Sequence, residues 1–326
     1  MTAHYYDALT PDAVMDAVES LDLVCDGRLL ALNSYENRVY QVGIEDDTPV
    51  IAKFYRAGRW SDAAIREEHV FACDLAERDI PVIPPARINN ETLHQSEPFR
   101  FALYDRHGGH TPELSDPEHL EWLGRVLGRI HAYGATKKFT HRLNLDVATV
   151  GQSAFDYIIE QRIPPDYLFD SWQQAASNLL ALVSTAFTEV SFKAIRLHGD
   201  CHLGNLLWTD GGPHFVDLDD CLNGPAMQDL WMLLSGNHAD MRQQFEAILT
   251  GYEEFMEFDL AELRLIEPLR ALRMIHYCGW LAKRWDDPAF PLAFPWFNTP
   301  AYWEDQLDTL RQQQEKLQEP ALRLKP

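Results

Sequence analysis

The chain has 326 residues, 46% of them hydrophobic, which is enough apolar material for one large domain or two modest ones and excludes a globally disordered protein. No apolar run approaches the roughly 18 residues of a membrane span, and the N-terminus lacks the pattern of a secretory signal. The formal net charge of −22 excludes a protein that binds nucleic acid through surplus Lys and Arg.

The first third of the chain has the pattern of a small β-rich unit with one helix. Runs of aliphatic, β-branched and aromatic residues predict strands at residues 29–32, 38–44, 50–55, 86–88 and 99–104. A helix is predicted to begin at Ser61-Asp62 and to end at Arg78, before the prolines at 81, 84 and 85.

Beyond Tyr104 the pattern becomes mainly helical. Residues 105–110 read as a connector, and helices are predicted from Asp116 onward, at 171–190, 226–234, 241–258, 260–285 and 301–317. A β-rich island at 195–219 turns at 210–212. We therefore predict an α+β protein with a bilobal, protein-kinase-like fold. Its small β-rich N-lobe (1–104) would bind ATP, and its larger, mainly helical C-lobe (105–326) would carry the catalytic loop.

The β-rich island holds the strongest chemical signal. It contains the segments His-Gly-Asp-Cys-His-Leu-Gly-Asn (198–205) and Val-Asp-Leu-Asp-Asp (216–220). Asp200 precedes Asn205 by five positions, as in the catalytic loop of protein kinases, and Asp217 follows Asn205 by twelve. Phosphoryl transfer needs a carboxylate that orients the attacking hydroxyl, and oxygen ligands that hold Mg²⁺. We predict Asp200 and Asp217 as catalytic residues, with Asn205 and Asp217 as the metal ligands.

A polar hairpin whose Asp and Asn side chains only cap turns would explain each residue singly, but it does not explain the joint pattern. A lysine that meets the phosphates is predicted from Val-Ile-Ala-Lys at 50–53, which resembles the kinase strand that carries the phosphate-binding lysine. Glu68, on the helix that follows, is predicted to hold Lys53 because it shares a helix face with Ile65. Glu67 would point elsewhere.

A glycine-rich phosphate loop is absent, and Leu-Asn-Ser-Tyr-Glu-Asn-Arg-Val-Tyr (32–40) stands in its place. Backbone amides of a tight turn can hold phosphate, and Ser34 offers a further donor. We predict Ser34, Asn37 and Tyr104 as nucleotide contacts beside Lys53 and Glu68. An ordinary hairpin turn explains this segment alone equally well.

The motifs at 198–205 and 216–220 resemble those of the aminoglycoside phosphotransferase and choline kinase superfamily. The segments 32–40, 53–56 and 223–226, together with several nearer the C-terminus, are similar to those of bacterial stress-response serine/threonine protein kinases. The resemblance implies Asp200 as proton acceptor, Asn205 and Asp217 as Mg²⁺ ligands, Lys53 and Glu68 as the phosphate-binding pair, Ser34 at the ATP loop and Asp229 as a brace for the catalytic loop. It also implies a monomeric cytoplasmic kinase that phosphorylates Ser or Thr in proteins, including itself, in the response to stress.

Two alternatives stay open. A small-molecule hydroxyl kinase of the same fold would share every catalytic motif. A metal hydrolase would use His198, Asp200, His202 and Asp217, with the first three on one strand face. Five widely spaced cysteines without a Cys-x-x-Cys pair predict neither disulfides nor structural zinc, and they fit the cytoplasm. We expect ATP and Ser/Thr-bearing proteins as partners, and neither nucleic acid nor a membrane.

Overall fold

The computed structural model describes residues 5–324, which form two compact units. The first unit contains the described residues up to Glu113, together with Phe139–Arg142 and Leu203–Cys221. The second contains Leu114–Lys138, Leu143–His202 and the described residues from Leu222 onward. The predicted α+β class is confirmed, whereas the lobe boundary at residues 104 and 105 stays a prediction.

Within residues 5–324 the structure has nine strands and ten α-helices, which are labelled as follows. The strands are β1 (Cys25–Ala31), β2 (Arg38–Ile44), β3 (Val50–Phe54), β4 (His94–Ser96), β5 (Phe99–Asp105), β6 (Ile195–Leu197), β7 (Leu206–Thr209), β8 (Gly212–Phe215) and β9 (Leu222–Gly224). The helices are α1 (Pro11–Glu19), α2 (Asp62–Ala76), α3 (Pro117–Gly134), α4 (Ser153–Glu160), α5 (Asp166–Glu189), α6 (Met227–Leu230), α7 (His238–Tyr252), α8 (Ile266–Lys283), α9 (Ala289–Ala293) and α10 (Pro300–Lys316).

The first unit is built on an antiparallel sheet in the order β1-β2-β3-β5-β4. Helix α1 packs against it through Val14, Ala17 and Val18, which are fully buried with sheet residues such as Val42 and Phe54. This burial of apolar surface is the main force that holds the unit together. Lys53 lies on β3, in register with Val39 of β2 on one side and Ala102 of β5 on the other.

Helix α2 begins where the sequence predicts. The Ser61 hydroxyl accepts a hydrogen bond from the Ala64 amide at 3.2 Å, which satisfies one of the unpaired donors at the helix start. The helix ends at Ala76, two residues before the predicted end.

One sequence prediction in the first unit is wrong, and two elements of that unit were not predicted. Residues 86–88 form no strand, because the prolines at 84 and 85 cannot donate to a ladder, and only isolated bridges such as Pro85–Tyr104 form there. The short strand β4 was not predicted. The helix α1 was not predicted either, although its buried positions 14, 17 and 18 have helical spacing and Thr10 caps its start.

The hairpin of β7 and β8 also belongs to the first unit. It turns at residues 210 and 211 as predicted, and Leu206 pairs with Phe215 at its open end. Bridges from Phe215 to Val82 and from Trp208 to His110 attach it to the rest of this unit.

The second unit is mainly helical. The predicted stripe on α3 is buried, as expected for an amphipathic helix: it consists of Leu120, Leu123, Leu127 and Ile130. Helices α3 and α7 cross very closely at Gly124, where a Cβ atom would lie 2.0 Å from the carbonyl oxygen of Ile248. Only glycine fits at that position without displacing α7.

The predicted helix at 260–285 is two elements, a 3₁₀ segment at Leu260–Leu265 and then α8. Pro268 lies in the first turn of α8, where its missing N–H costs no hydrogen bond, and this favours a new helix start there. The predictions at 171–190, 241–258 and 301–317 correspond to α5, α7 and α10 with shifted ends. Across residues 5–324, none of the helices is long and apolar enough to cross a membrane.

Candidate active site

The open end of the β7–β8 hairpin brings Asn205 and Asp217 together. Asn205 directly precedes β7, and its carbonyl accepts a hydrogen bond of 3.0 Å from the amide of Val216, next to Asp217. Asp217 adopts a left-handed backbone conformation with φ of 60°, which Asp tolerates better than most residues. The backbones of the two predicted metal ligands, which are twelve positions apart in the sequence, are thus neighbours at the open end of one hairpin.

Lys53 contacts the same end of the hairpin. Its Nζ lies 2.7 Å from Asp217 Oδ1 and 3.5 Å from Asp219 Oδ1, and the lysine side chain is almost fully buried. Burial alone would lower the pKa of Lys53, but the charges of Asp217, Asp219 and Glu68 raise that pKa well above its ordinary value. The lysine therefore stays charged, beside a predicted metal ligand.

Glu68 does not form the predicted ion pair with Lys53. Among the described residues, the charged group that pairs with Glu68 is Arg142, whose Nη1 atom lies 4.0 Å from Glu68 Oε2. The buried Oε2 atom has no hydrogen-bond partner in that part of the chain. Burial raises the pKa of Glu68 to about 7, and the charge of Lys53 opposes that rise. Lys53 is paired with two carboxylates of the 217–219 segment instead, because they lie closer to its ammonium group.

Asp219, in the 216–220 motif, is buried and bonds to several polar side chains around it. Its Oδ2 atom accepts hydrogen bonds from the Asn37 side chain at 3.0 Å and from Arg59. Arg59 also bonds to Asp220, and Arg142 donates to the backbone carbonyl of Asp219.

Burial alone would raise the pKa of Asp219, but Arg59, Lys53 and Arg142 hold it below its usual range. Asp219 is therefore a charged anchor for the cations around it. Arg59 and Arg142 were missed because a single arginine in a loop has no motif.

Ser34, Asn37 and Tyr104 have defined protein partners. The Ser34 hydroxyl donates to the carbonyl of Asn37 at 3.0 Å. The buried Asn37 side chain accepts from the amide of Arg56 at 3.1 Å while it donates to Asp219, so it fixes this loop to Asp219. The Tyr104 hydroxyl lies 3.0 Å from that of Tyr55, and burial raises the pKa of Tyr104. Nucleotide contact by these three stays a prediction.

Asp200 lies in the second unit, three residues after the end of β6. Its Oδ1 atom accepts a hydrogen bond of 2.5 Å from Arg273 on α8, and its Oδ2 atom lies 3.3 Å from Nε2 of His202. Burial alone would raise the pKa of Asp200, but the His202 hydrogen bond and the Arg273 charge hold it well below its usual range. Asp200 is therefore ionised at neutral pH and accepts hydrogen bonds.

The backbone of the catalytic segment is held by Asp229, as the family resemblance implies. The amides of His198 and Gly199 each donate to the Asp229 carboxylate at 2.8 Å. Gly199 has φ of 89°, a conformation that side chains disfavour, and this explains glycine directly before Asp200. The Oδ2 atom of Asp229 also lies 3.0 Å from Nε2 of His131, and both side chains are fully buried.

The strand arrangement assumed for the metal-hydrolase alternative does not form. Strand β6 ends at Leu197, so His198, Asp200 and His202 do not alternate along a strand. In the part of the chain that the structure describes, no three His, Cys, Asp or Glu side chains are grouped to hold a metal ion. That leaves the oxygen donors Asn205 and Asp217, a pair suited to Mg²⁺ rather than to zinc.

Comparison with known families agrees with this chemistry. Residues 28–266 match the phosphotransferase enzyme family. The chain belongs to that family. This phosphotransferase is 45% identical over 332 residues to Stress response kinase A of Escherichia coli K12. The alignment covers 100% of this chain and 98% of the relative. It is 44% identical to the Serine/threonine protein kinase RdoA of Salmonella typhimurium LT2, over 99% of this chain and 98% of that protein. These relatives make it a kinase.

Solved structures confirm the kinase-like fold of this phosphotransferase. The amicoumacin kinase hAmiN, in complex with AMP-PNP, Ca²⁺ and Ami, aligns with a TM-score of 0.71 and 16% identity, over 94% of this chain and 96% of that one. The microcompartment-associated aminopropanol kinase also has a TM-score of 0.71, with 18% identity, over 96% and 100% of the two chains. At such identities the likeness concerns the fold alone.

Proposed function

We propose that this phosphotransferase is a serine/threonine protein kinase that uses ATP with Mg²⁺, phosphorylates itself as well as other proteins, and acts in a bacterial stress response. The observation that carries the proposal is the 45% identity, over essentially the full length of both chains, to Stress response kinase A. The protein would act as a monomer in the cytoplasm, and its partners would be ATP and Ser/Thr-bearing proteins.

The residues at the hairpin end fit a magnesium ion. Asn205 and Asp217 provide an amide oxygen and a carboxylate from adjacent positions, and the Asp217 side chain is 52% exposed and so accessible. A bound ion would neutralise phosphate charge during transfer. Lys53, already charged and buried beside Asp217, would donate to phosphate oxygens.

The other predicted residues would support this arrangement. Ser34 and Tyr104 would contact the nucleotide, whereas Asn37 would act by tying its loop to Asp219. Glu68, whose pKa of about 7 leaves it only partly ionised at neutral pH, would lie near Lys53 without pairing with it. Asp219 would remain a partner for Lys53 when Asp217 is engaged elsewhere.

Asp200 would orient the hydroxyl that attacks the phosphate. Because His202 and Arg273 keep its carboxylate ionised, it would accept the hydrogen bond of a Ser or Thr hydroxyl rather than act as a strong base. A loose transition state for phosphoryl transfer requires little more, since bond breaking precedes much of the proton's departure.

A small-molecule hydroxyl kinase is the second candidate, because the two structures described above are named for amicoumacin and aminopropanol. Radiolabelled ATP supplied with a basic protein, an acidic protein and a panel of amino alcohols and sugars distinguishes the two. We expect label in protein, including the kinase itself. Label confined to the alcohols or sugars would refute the protein-kinase proposal.

The Asp200→Asn and Asp217→Asn variants test the site assignment in the same assay. Loss of a general base or orienting group typically costs 10²- to 10⁴-fold in rate. We expect Asp200→Asn to lose roughly 100-fold or more in kcat and to retain nucleotide binding. Asp217→Asn should also weaken Mg²⁺-dependent nucleotide binding, measured by calorimetry. Near-normal turnover of Asp200→Asn would show that Asp200 is not the catalytic carboxylate.

A further inference from the structure

The Asp200 carboxylate is held at both of its oxygen atoms, by groups from different elements. His202, two residues along the same loop, lies 3.3 Å from Oδ2, and Arg273, from α8, donates to Oδ1 at 2.5 Å. Contacts at both oxygen atoms restrict the rotation of the Asp200 side chain.

The backbone of this loop is fixed independently of Arg273. Asp229 binds the amides of His198 and Gly199, and the Gln228 side chain donates to the carbonyl of Gly199 at 2.8 Å. Removing the Arg273 guanidinium would leave those hydrogen bonds in place. The effect of Arg273 would thus be confined to the orientation and charge of the Asp200 side chain.

Arg273 itself is set on a rigid element. Helix α8 is anchored by fully buried neighbours such as Leu272 and Ile275, while the Arg273 side chain is 41% exposed. Within residues 5–324, Asp200 is the carboxylate that Arg273 bonds. The pair is partly exposed, with 41% of the Arg273 side chain and 23% of the Asp200 side chain accessible, and such pairs contribute modestly to the stability of a fold, so stability alone is a poor explanation for this contact.

We propose that Arg273 is a positioning residue for phosphoryl transfer, which holds the Asp200 carboxylate in the orientation that receives the acceptor hydroxyl. The inference rests on the proposed function, because it assumes that Asp200 meets the acceptor. Positioning errors of about 1 Å can cost 100-fold in rate, so a single well-placed guanidinium can have a large effect on turnover.

The test compares Arg273→Met and Arg273→Lys with Arg264→Met. Arg264 forms an exposed ion pair of 2.7 Å with Glu189 in the same unit, and it serves as a matched control for the loss of one surface arginine. The full-length proteins are assayed for kcat and for KM of ATP, with whichever acceptor the wild type phosphorylates. Their thermal unfolding is recorded in parallel.

We expect Arg273→Met to lower kcat roughly 10- to 100-fold, with KM for ATP within about twofold of wild type and thermal unfolding like that of Arg264→Met. Arg273→Lys should recover part of the rate. A further variant, Arg273→Ala, leaves space for chemical rescue: millimolar ethylguanidine should partly restore its rate but leave Arg264→Met unchanged, a response that a purely structural role would not produce.

Wild-type kcat in Arg273→Met would overturn the inference, and so would a loss that follows a fall in stability or in ATP affinity. The outcome is separable from that of the proposed function. If transfer goes to a small alcohol, the protein-kinase proposal fails while the Arg273 comparison still stands. If Asp200→Asn keeps its rate, the assignment of Asp200 as the catalytic carboxylate and the role of Arg273 both fail. If Asp200→Asn is inactive but Arg273→Met is normal, only the role of Arg273 is refuted.

Discussion

Charge pairing around Lys53 differs from the sequence prediction in one carboxylate. Lys53 contacts Asp217 and Asp219, whereas Glu68 is buried nearby without an ion pair to Lys53 among the described residues. The helix position of Glu68 could be predicted from its spacing to Ile65. Its distance from Lys53 could not, because that distance depends on how the turn at residues 217–219 folds.

The buried Glu68 carboxyl gives a stability prediction with a definite sign. Its pKa is about 7 in the folded protein, above its ordinary value of 4.5, so folding favours the protonated form. The corresponding stability is complete below pH 4.5 and is lost as the pH rises through 7. A shift of this size corresponds to at most ~3 kcal/mol.

Glu68→Gln should therefore raise the free energy of unfolding at pH 8 and change it little at pH 5, measured by denaturant titration without nucleotide or metal. Glu77→Gln, an exposed change at the C-terminal end of the same helix, is the control and should have little effect at either pH. Equal stability of Glu68→Gln and wild type at pH 8 would contradict the raised pKa of Glu68.

The contacts of single arginines could not be predicted from the sequence. The spacing of Asp200, Asn205 and Asp217 was informative because a turn and a loop fix it within a short segment. Arg59 contacts Asp219, and Arg273 contacts Asp200, each from a distant segment of the same unit. Nothing in the residues that neighbour these arginines in the sequence indicates such a contact. Only the folded chain reveals that they bond Asp219 and Asp200.

At the level of elements, the contact between α3 and α7 depends on glycine. An alanine at Gly124 would place its Cβ 2.0 Å from the carbonyl oxygen of Ile248, so the helices would have to separate. Overpacking of this kind typically costs 1–3 kcal/mol and occasionally more. We expect Gly124→Ala to lower the free energy of unfolding by roughly 3 kcal/mol.

Gly108→Ala provides the comparison, since a Cβ atom there would meet nothing within 4 Å. Denaturant midpoints for both variants measure the difference. If the two variants proved equally stable, the close approach of α3 and α7 would be disproved.

Periodicity predicted the long amphipathic helices well and the short elements poorly. The apolar stripe of α3 repeats over three turns, so its signal accumulates. Strand β4 has three residues, and the segment at 86–88 contains apolar residues that pack without forming a ladder. For such pieces the outcome is decided by neighbouring strands and prolines rather than by their own residues.

At the scale of the whole molecule, the net charge of −22 would favour basic acceptors over acidic ones. We expect kcat/KM to be higher for a Lys/Arg-rich acceptor peptide than for an Asp/Glu-rich one with the same Ser. The difference should narrow as salt rises, because screening shortens the range of the field to about 8 Å at 0.15 M. A preference that ignores ionic strength would exclude long-range charge as its cause.

The order in which the chain visits its two units limits how the protein can be divided. From Leu114 onward the chain belongs to the second unit, except for residues 139–142 and 203–221, which belong to the first. A fragment cut after Glu113 would keep Lys53 but lose Asn205, Asp217 and Asp219. No single break in the chain separates the two units, so gene fusion or recombination could exchange neither unit as one continuous segment.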